Sequence, residues 1–75
     1  MSKEYDFIIA SNHEYEKVFV EIYWNGKFVA LINQENGLDN LEIEFPGLNL
    51  IESLIERKLP LNIFLDLVKE AAELL

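Results

Sequence analysis

The only histidine of the chain, His13, is followed by Glu14 and then, two residues later, by Glu16. Imidazole and carboxylate groups both bind metal ions, so this cluster is the first candidate for chemistry. A structural zinc site needs four ligands, mostly nitrogen or sulfur, and the chain contains no second histidine and no cysteine. We therefore interpret His13 as a solvated loop residue and expect neither a metal nor a cofactor.

Ser11 adds a hydroxyl to the same short segment, so Ser11, His13 and Glu14 contain the residue types of a nucleophilic triad. Triads are normally assembled from separate segments of a chain, whereas these residues are near neighbours in sequence. The dipeptide Ser11-Asn12 is more typical of a turn. We expect no catalytic residue here and no enzymatic activity.

Glu42 and Glu44 alternate with apolar residues, so they lie on one face of a predicted strand, about 6–7 Å apart. That separation fits the acid and base of an inverting glycosidase. A chain of 75 residues, however, leaves little room for a substrate cleft of a few hundred Å³. Two interpretations remain: a solvated strand face, or carboxylates that imitate a nucleic-acid backbone and occupy the basic groove of a partner.

The charge balance narrows the class of partner. Fourteen acidic residues oppose six basic ones, for a formal net charge of −8. Binding to nucleic acid or to an anionic membrane needs clustered lysines and arginines, and Arg57-Lys58 is the only basic pair. The acidic surface favours a basic protein, or it serves only to keep an apolar chain in solution. The residues expected to contact a basic partner are Glu21, Glu35, Asp39, Glu42 and Glu44.

The elements that carry these residues begin with a strand over Tyr5 to Ala10, followed by a polar loop. Two further strands, 17–24 and 27–34, are joined by Asn25-Gly26, the strongest short signal for a type I′ hairpin. A two-residue turn fixes the pairing of the two strands. The expected pairs are Trp24 with Lys27, Tyr23 with Phe28, Ile22 with Val29, Glu21 with Ala30, Val20 with Leu31, and Phe19 with Ile32.

Both faces of this hairpin are apolar, which is unusual for a chain with so much charge. Alternation along the strands gives a predicted core face of Val18, Val20, Ile22, Trp24, Val29 and Leu31. The opposite face carries Phe19, Tyr23, Phe28, Ala30 and Ile32, with Glu21 among them. A chain this small covers only one sheet face well. Either the region around residues 48–59 covers the opposite face, or a second copy or a partner must. We expect Phe19, Tyr23, Phe28 and Ile32 to form an apolar interface with a partner or with a second copy.

The rest of the chain is predicted to complete a small α+β fold. Residues 41–45 form a strand with Leu41, Ile43 and Phe45 inward and Glu42 and Glu44 outward. Residues 48–59 stay undecided, because Asn49 and Glu52 fit the start of a helix and Ser53 to Leu59 fit a short strand equally well. From Leu61, a helix is predicted by apolar residues at Phe64, Leu65, Val68, Ala71, Ala72 and Leu75. The fold class is an antiparallel meander of three to four strands with a C-terminal amphipathic helix on one face.

Length and composition complete the sequence-based account. We expect one domain over residues 1–75, no leader and no membrane-spanning segment, and a cytoplasmic protein without disulfides. By analogy of size and charge, the expected function is an inhibitor or adaptor for a basic, nucleic-acid-handling protein, as in anti-defence, antitoxin or immunity proteins. The alternative is an assembly subunit that forms a homodimer through the apolar hairpin face.

Overall fold

A computed structural model describes residues 4–48 and 51–75 of the chain. Four strands form one antiparallel sheet in the order β1 (Tyr5–Ala10), β2 (Phe19–Trp24), β3 (Lys27–Asn33) and β4 (Glu42–Glu44). A C-terminal helix, α1 (Leu61–Glu73), packs on one face of this sheet, against β2 and β3. The predicted α+β class, with a meander and a C-terminal helix, is confirmed.

The turn between β2 and β3 has the predicted geometry. Asn25 and Gly26 both have positive φ, at 52° and 78°, which is the requirement of a type I′ turn. Next to the turn, Trp24 pairs with Lys27 and Tyr23 pairs with Phe28. The first two predicted pairs of the hairpin are therefore confirmed.

Beyond Phe28 the predicted register is wrong, because β3 contains a bulge at Val29. The observed pairs are Ile22 with Ala30, Glu21 with Leu31, and Val20 with Ile32. One extra residue on a bulged strand moves every later side chain to the other face of the sheet. Ala30 and Ile32 therefore belong to the core face and Leu31 to the opposite face, the reverse of the prediction.

The core lies between α1 and the two central strands. Its buried members are Val20, Ile22, Val29, Ala30, Ile32, Leu67 and Ala71. The predicted core residue Val18 is exposed and precedes β2. Within α1, Leu67 and Ala71 are one turn apart and form the centre of the buried stripe, whereas Leu65 is 57% exposed. Two residues along a helix correspond to about 200° of rotation, so Leu65 and Leu67 cannot share a face.

Strand β4 is shorter than predicted, but two of its three inward residues are correctly assigned. Leu41 and Ile43 pack against the core. Phe45, expected to point inward, is 64% exposed and stacks on the ring of Phe64 with centroids 6.3 Å apart. Phe45 lies one residue beyond the end of β4, on the side of α1, but at the margin of the core rather than within it.

The segment that the sequence left undecided is neither a full helix nor a full strand. Glu52–Leu54 is a single 3₁₀ turn, and Ile55 then forms one parallel bridge with Phe28. The N–H of Glu56 donates to the Phe28 carbonyl at 2.9 Å. Asn49, the predicted helix start, lies outside the described residues. None of the described residues forms a helix long and apolar enough to cross a membrane.

Candidate functional site

The face of the sheet opposite α1, which we call the open face, carries six of the nine predicted partner-binding residues: Phe19, Glu21, Tyr23, Phe28, Glu42 and Glu44. Two rows of side chains cross it. One row contains Tyr23 and its neighbour Phe28, and the next contains Glu21, Leu31 and Glu44, which are consecutive cross-strand neighbours. Cross-strand neighbours lie close enough to act together, so these two rows form one surface of mixed apolar and acidic character.

A groove runs along the open face, between the sheet and the segment that follows β4. Its volume is about 560 Å³. The two walls are the β2–β3 hairpin and the 3₁₀ turn with its flanking residues. The open-face groove is lined by Glu21, Tyr23, Gly26, Phe28, Leu31, Ile51, Leu54 and Ile55. Ile51 and Leu54 are 66% and 60% exposed, so the outer wall presents apolar side chains to solvent.

The four residues of the predicted apolar interface are separated by the structure. Tyr23 and Phe28 line the groove, with their rings edge to face at a centroid distance of 5.7 Å. Phe19 is on the open face but buried, with the ring of Tyr15 4.9 Å away. Ile32 is 3% exposed and part of the core. Its assignment to this face is wrong because of the bulge, so the groove retains two of the four.

Among the predicted acidic residues, Glu21 and Glu44 lie beside the groove residue Leu31, one on each side. Two strand spacings separate their backbones, about 10 Å. Glu42 occupies the same face of β4 and is exposed. Asp39 is apart from them, in an exposed 3₁₀ turn (Leu38–Asn40) between β3 and β4. The open face thus brings together three of the five predicted acidic residues.

The side chain of Glu35 forms hydrogen bonds within the fold rather than facing solvent alone. Its two carboxylate oxygens accept the N–H groups of Glu16 and Lys17 at 2.8 and 2.9 Å, and its own N–H donates to the side-chain oxygen of Asn33 at 3.1 Å. These bonds hold the loop between β1 and β2 against the start of the β3–β4 connection. The carboxylate of Glu35 is therefore engaged within the fold.

Glu44 has a similar second role. One of its oxygens, Oε2, accepts the hydroxyl of Tyr15 at 2.7 Å and the side-chain amide of Asn33 at 2.6 Å. Asn33 is 3% exposed, and a buried amide needs such partners. The loop, β3 and β4 are thereby joined at one carboxylate oxygen, so a variant of Glu44 would change the fold of the open face as well as its charge.

Two tyrosines report the negative field of this face. The hydrogen bond to Glu44, together with burial and the charges of Glu44, Glu14 and Glu35, raises the pKa of Tyr15 to about 12. Burial raises the pKa of Tyr23, and the adjacent Glu21 carboxylate adds to the effect. The hydroxyl of Tyr23 lies 3.4 Å from Glu21. Both phenols keep their protons because a phenolate there would face carboxylates.

Arg57 fixes the outer wall of the groove. Its guanidinium donates to both carboxylate oxygens of Glu52: Nη2 to Oε1 at 2.6 Å, and Nε to Oε2 at 2.8 Å and to Oε1 at 3.1 Å. The same group donates to the carbonyls of Pro46 at 3.2 Å and Gly47 at 3.0 Å. The hydrogen bonds between the two side chains lower the pKa of Glu52 and raise that of Arg57. One planar side chain thus ties the 3₁₀ turn to the segment that leaves β4.

The residues considered for chemistry at the start of the chain lie in the β1–β2 loop. Ser11, His13 and Glu14 are exposed, and the N–H of Glu14 donates to the side-chain oxygen of Asn12 at 2.8 Å. This bond forms an Asx turn, so the interpretation of Ser11-Asn12 as turn residues is confirmed. The described parts of the chain contain no cluster of three acidic, histidine or cysteine side chains that could hold a metal ion.

Half of the groove was missed by sequence reasoning. Leu31 was assigned to the core because nothing in the β3 sequence announces the bulge. Ile51, Leu54 and Ile55 belong to the region 48–59, which was one of the two alternatives for covering the apolar hairpin face, and they line the groove on that face. The apolar pair Tyr23 and Phe28, which needed cover, indicated this region, but the sequence did not specify which of its residues would face the hairpin.

No family model, no curated protein and no solved structure matches this chain. The interpretation of the groove therefore depends on its own geometry and charge.

Proposed function

We propose that this chain is a non-catalytic interaction module that binds a basic segment of another protein in the open-face groove. The observation that carries the proposal is the pairing of an apolar groove with carboxylates on the same face. Tyr23, Phe28 and Leu54 offer a surface for an apolar side chain, and Glu21 lines the same groove. Buried aromatic anchors with a charged rim are typical of protein-binding sites.

The charge determines which partner fits. With a net charge of −8, the chain attracts a basic surface and repels an acidic one at long range. A second copy of the chain on this face would bring Glu21 and Glu44 of both copies together without counter-charges. We therefore favour a basic partner over a homodimer through the open face.

The partner class follows from both features together. A segment with one aromatic or aliphatic anchor between lysines or arginines would fill the groove and neutralise its rim. Such segments are common on nucleic-acid-handling proteins, because phosphate binding needs clustered basic residues. The proposed role is an inhibitor or adaptor that occupies a basic surface of such a protein in the cytoplasm, where a chain without cysteine needs no oxidising environment.

The experiment is a selection of random peptides displayed on phage against the purified protein. We expect the enriched peptides to share an apolar anchor flanked by basic residues. Their binding should weaken steeply with salt, since charge contributes to the encounter. A selection that returns acidic peptides, or peptides whose binding ignores salt, would contradict the proposal.

The matched variants for this selection are Leu54→Ser and Leu65→Ser. The two leucines are about equally exposed, at 60% and 57%, but only Leu54 lines the open-face groove. Leu65 is a residue of α1, on the other side of the sheet. Leu54→Ser should reduce binding of the selected peptides at least about tenfold, the effect of losing one well-packed anchor contact. Leu65→Ser should leave that binding unchanged.

A further inference from the structure

The outer edge of β1 carries a regular row of unpaired backbone groups. The N–H of Asn25 donates to the carbonyl of Glu4, and the β1–β2 register continues from this pair. Hydrogen-bonded pairs alternate with non-bonded pairs along an antiparallel ladder. Asp6, Ile8 and Ala10 are therefore bonded to β2, whereas the N–H and C=O groups of Tyr5, Phe7 and Ile9 point away from the sheet.

The β2–β3 hairpin independently indicates which backbone groups of β1 are bonded to β2. Trp24 and Lys27 flank a two-residue turn and form a hydrogen-bonded pair toward β3. Alternation along β2 then directs the backbone groups of Tyr23 and Glu21 toward β1. Their partners there are Asp6 and Ile8, the same two residues that alternation from the Glu4–Asn25 pair assigns to β2.

The two edges of the sheet differ in how much they leave unpaired. Strand β4 has three residues. Glu42 and Glu44 pair with Asn33 and Leu31, whose backbone groups point toward β4, so only the N–H and C=O groups of Ile43 point away from the sheet. Strand β1 has six residues and one charge, at Asp6. It has no proline, and its pairing with β2 shows no bulge. A long, regular edge of this kind is a template for another strand.

We propose that β1 pairs with β1 of a second copy of the chain, antiparallel, about a twofold axis at Phe7. In this register Phe7 faces itself and Tyr5 faces Ile9 of the other copy. All three outward residues of each chain are then used, for six backbone hydrogen bonds. The two meanders would join as one continuous eight-stranded sheet with an isologous interface.

The side chains select this register over its neighbours. A shift of two residues toward the N-terminus would place Asp6 directly opposite its own copy, which is destabilising. A shift the other way would leave Tyr5 without a partner in β1. At the proposed register Asp6 faces Ile8 of the second copy, so the like charges are separated and every outward group within β1 is paired.

The face of β1 on the side of α1 carries apolar side chains that would also contact the second copy. Because α1 packs on β2 and β3, it leaves Tyr5 and Phe7 half-buried and Ile9 exposed. The rings of Tyr5 and Phe7 are 5.5 Å apart, and the twofold axis would add the equivalent residues of the second copy to this pair. The interface is small, so we expect a dimer that dissociates on dilution rather than an obligate one.

Single-cysteine variants test the register, because the chain has no cysteine of its own. In Phe7→Cys the two Cα atoms would be about 5.5 Å apart, within the range of a disulfide. In Ile9→Cys the two cysteines would be offset by four residues, about 13 Å along the strands, and out of range. We expect Phe7→Cys to form a disulfide dimer under mild oxidation at least about tenfold faster than Ile9→Cys.

Two exposed positions provide a second test if Phe7→Cys fails to fold. Asp6 and Ile8 are exposed and face each other across the proposed axis. Asp6→Cys mixed with Ile8→Cys should form the mixed disulfide in preference to either homodimer. Equal rates for all three pairings would overturn the register.

Sedimentation over a range of protein concentrations tests the dimer itself. Ile9→Pro removes the outward N–H without removing a bond to β2, whereas Ile9→Ala keeps that N–H. Loss of two of the six bonds should raise the dissociation constant of the dimer at least about tenfold in Ile9→Pro, relative to Ile9→Ala. A wild-type protein that stays monomeric at the highest concentration, or a dimer equally stable in both variants, would overturn the proposal. Leu54→Ser should not change the dimer, so this test is separate from that of the groove.

Discussion

Tyr15 donates its hydroxyl to the carboxylate of Glu44 at 2.7 Å, and this bond joins the β1–β2 loop to the opposite edge of the sheet. The same oxygen of Glu44 accepts the side chain of Asn33. One carboxylate therefore organises a loop, a central strand and an edge strand.

Tyr15→Phe tests whether this bond stabilises the fold. The variant deletes the donor and leaves the ring on Phe19, so the free energy of unfolding should fall by about 1 kcal/mol, the usual net contribution of one hydrogen bond. Urea denaturation measures the change. Tyr5→Phe deletes the same atom on the other face of the sheet and should cost less; equal losses would mean that the Tyr15 bond has no special role.

The titration of Tyr15 gives a second, pH-dependent test. Its pKa is about 12 in the fold, against 10.0 for an ordinary tyrosine. Because the folded state holds this proton more tightly than the unfolded state, the stabilisation is complete below pH 10 and is lost as the pH rises toward 12. Tyrosinate absorbance should show late-titrating phenols, since the pKa of Tyr23 is raised as well, and Tyr15→Phe should remove one of them. A tyrosinate titration unchanged by that substitution would contradict the assignment.

Leu67→Ala and Leu65→Ala test the orientation of α1. Leu67 is fully buried against the sheet, whereas Leu65 is largely exposed. The first substitution should lower the free energy of unfolding by about 2–5 kcal/mol, enough to unfold much of a small domain. The second should change it by less than about 0.5 kcal/mol. Similar losses in both variants would mean that the helix faces the sheet differently.

Arg57→Lys tests whether the hydrogen bonds of Arg57 to Glu52, Pro46 and Gly47 hold the outer wall of the groove. Lysine keeps the charge but cannot donate to Glu52 and to two carbonyls in one plane. We expect faster hydrogen exchange at the N–H groups of Leu54, Ile55 and Glu56, whose backbone bonds hold this wall. The exchange of Ile22, in the centre of the sheet, should not change. If exchange is unaltered at Leu54, Ile55 and Glu56 as well as at Ile22, the hydrogen bonds of Arg57 do not hold this wall.

The elements of the fold were predictable because local patterns decide them. Asn25-Gly26 specifies its own turn, β1 falls where aromatic and β-branched residues are enriched, and α1 begins where helical spacing predicted. The bulge at Val29 was not predictable, since it lets Ala30 and Ile32 pack beneath α1 and therefore depends on tertiary packing. That one residue exchanged Leu31 and Ile32 between the faces and so changed the membership of the candidate site.

The acidic residues of the candidate site were also only partly predictable from the sequence. Composition predicted an acidic surface, and Glu21, Glu42 and Glu44 do share a face. The sequence could not distinguish a carboxylate that bonds the chain's own N–H groups, as Glu35 does, from one that is exposed, as Glu42 is. That distinction depends on the position of the β1–β2 loop, which contains no strand or helix to predict.

Glu42 tests whether the negative charge of the open face contributes to peptide binding, because its carboxylate is exposed. Glu42→Gln removes one negative charge without removing a described hydrogen bond, so the fold should be unaffected. Binding of a selected basic peptide should weaken, and its dependence on salt should become shallower. Glu73→Gln, at the end of α1, is the matched control. Equal effects of the two substitutions would indicate that only net charge matters and not its place on the open face.

The most direct test of the central claim is a ¹H–¹⁵N spectrum of the protein recorded with and without a selected basic peptide. The account predicts that the perturbed backbone signals cluster at the open-face groove, at Tyr23, Phe28, Leu31, Leu54 and Ile55, while the signals of α1 stay in place. Perturbations confined to α1 or to β1, with the groove unchanged, would contradict it.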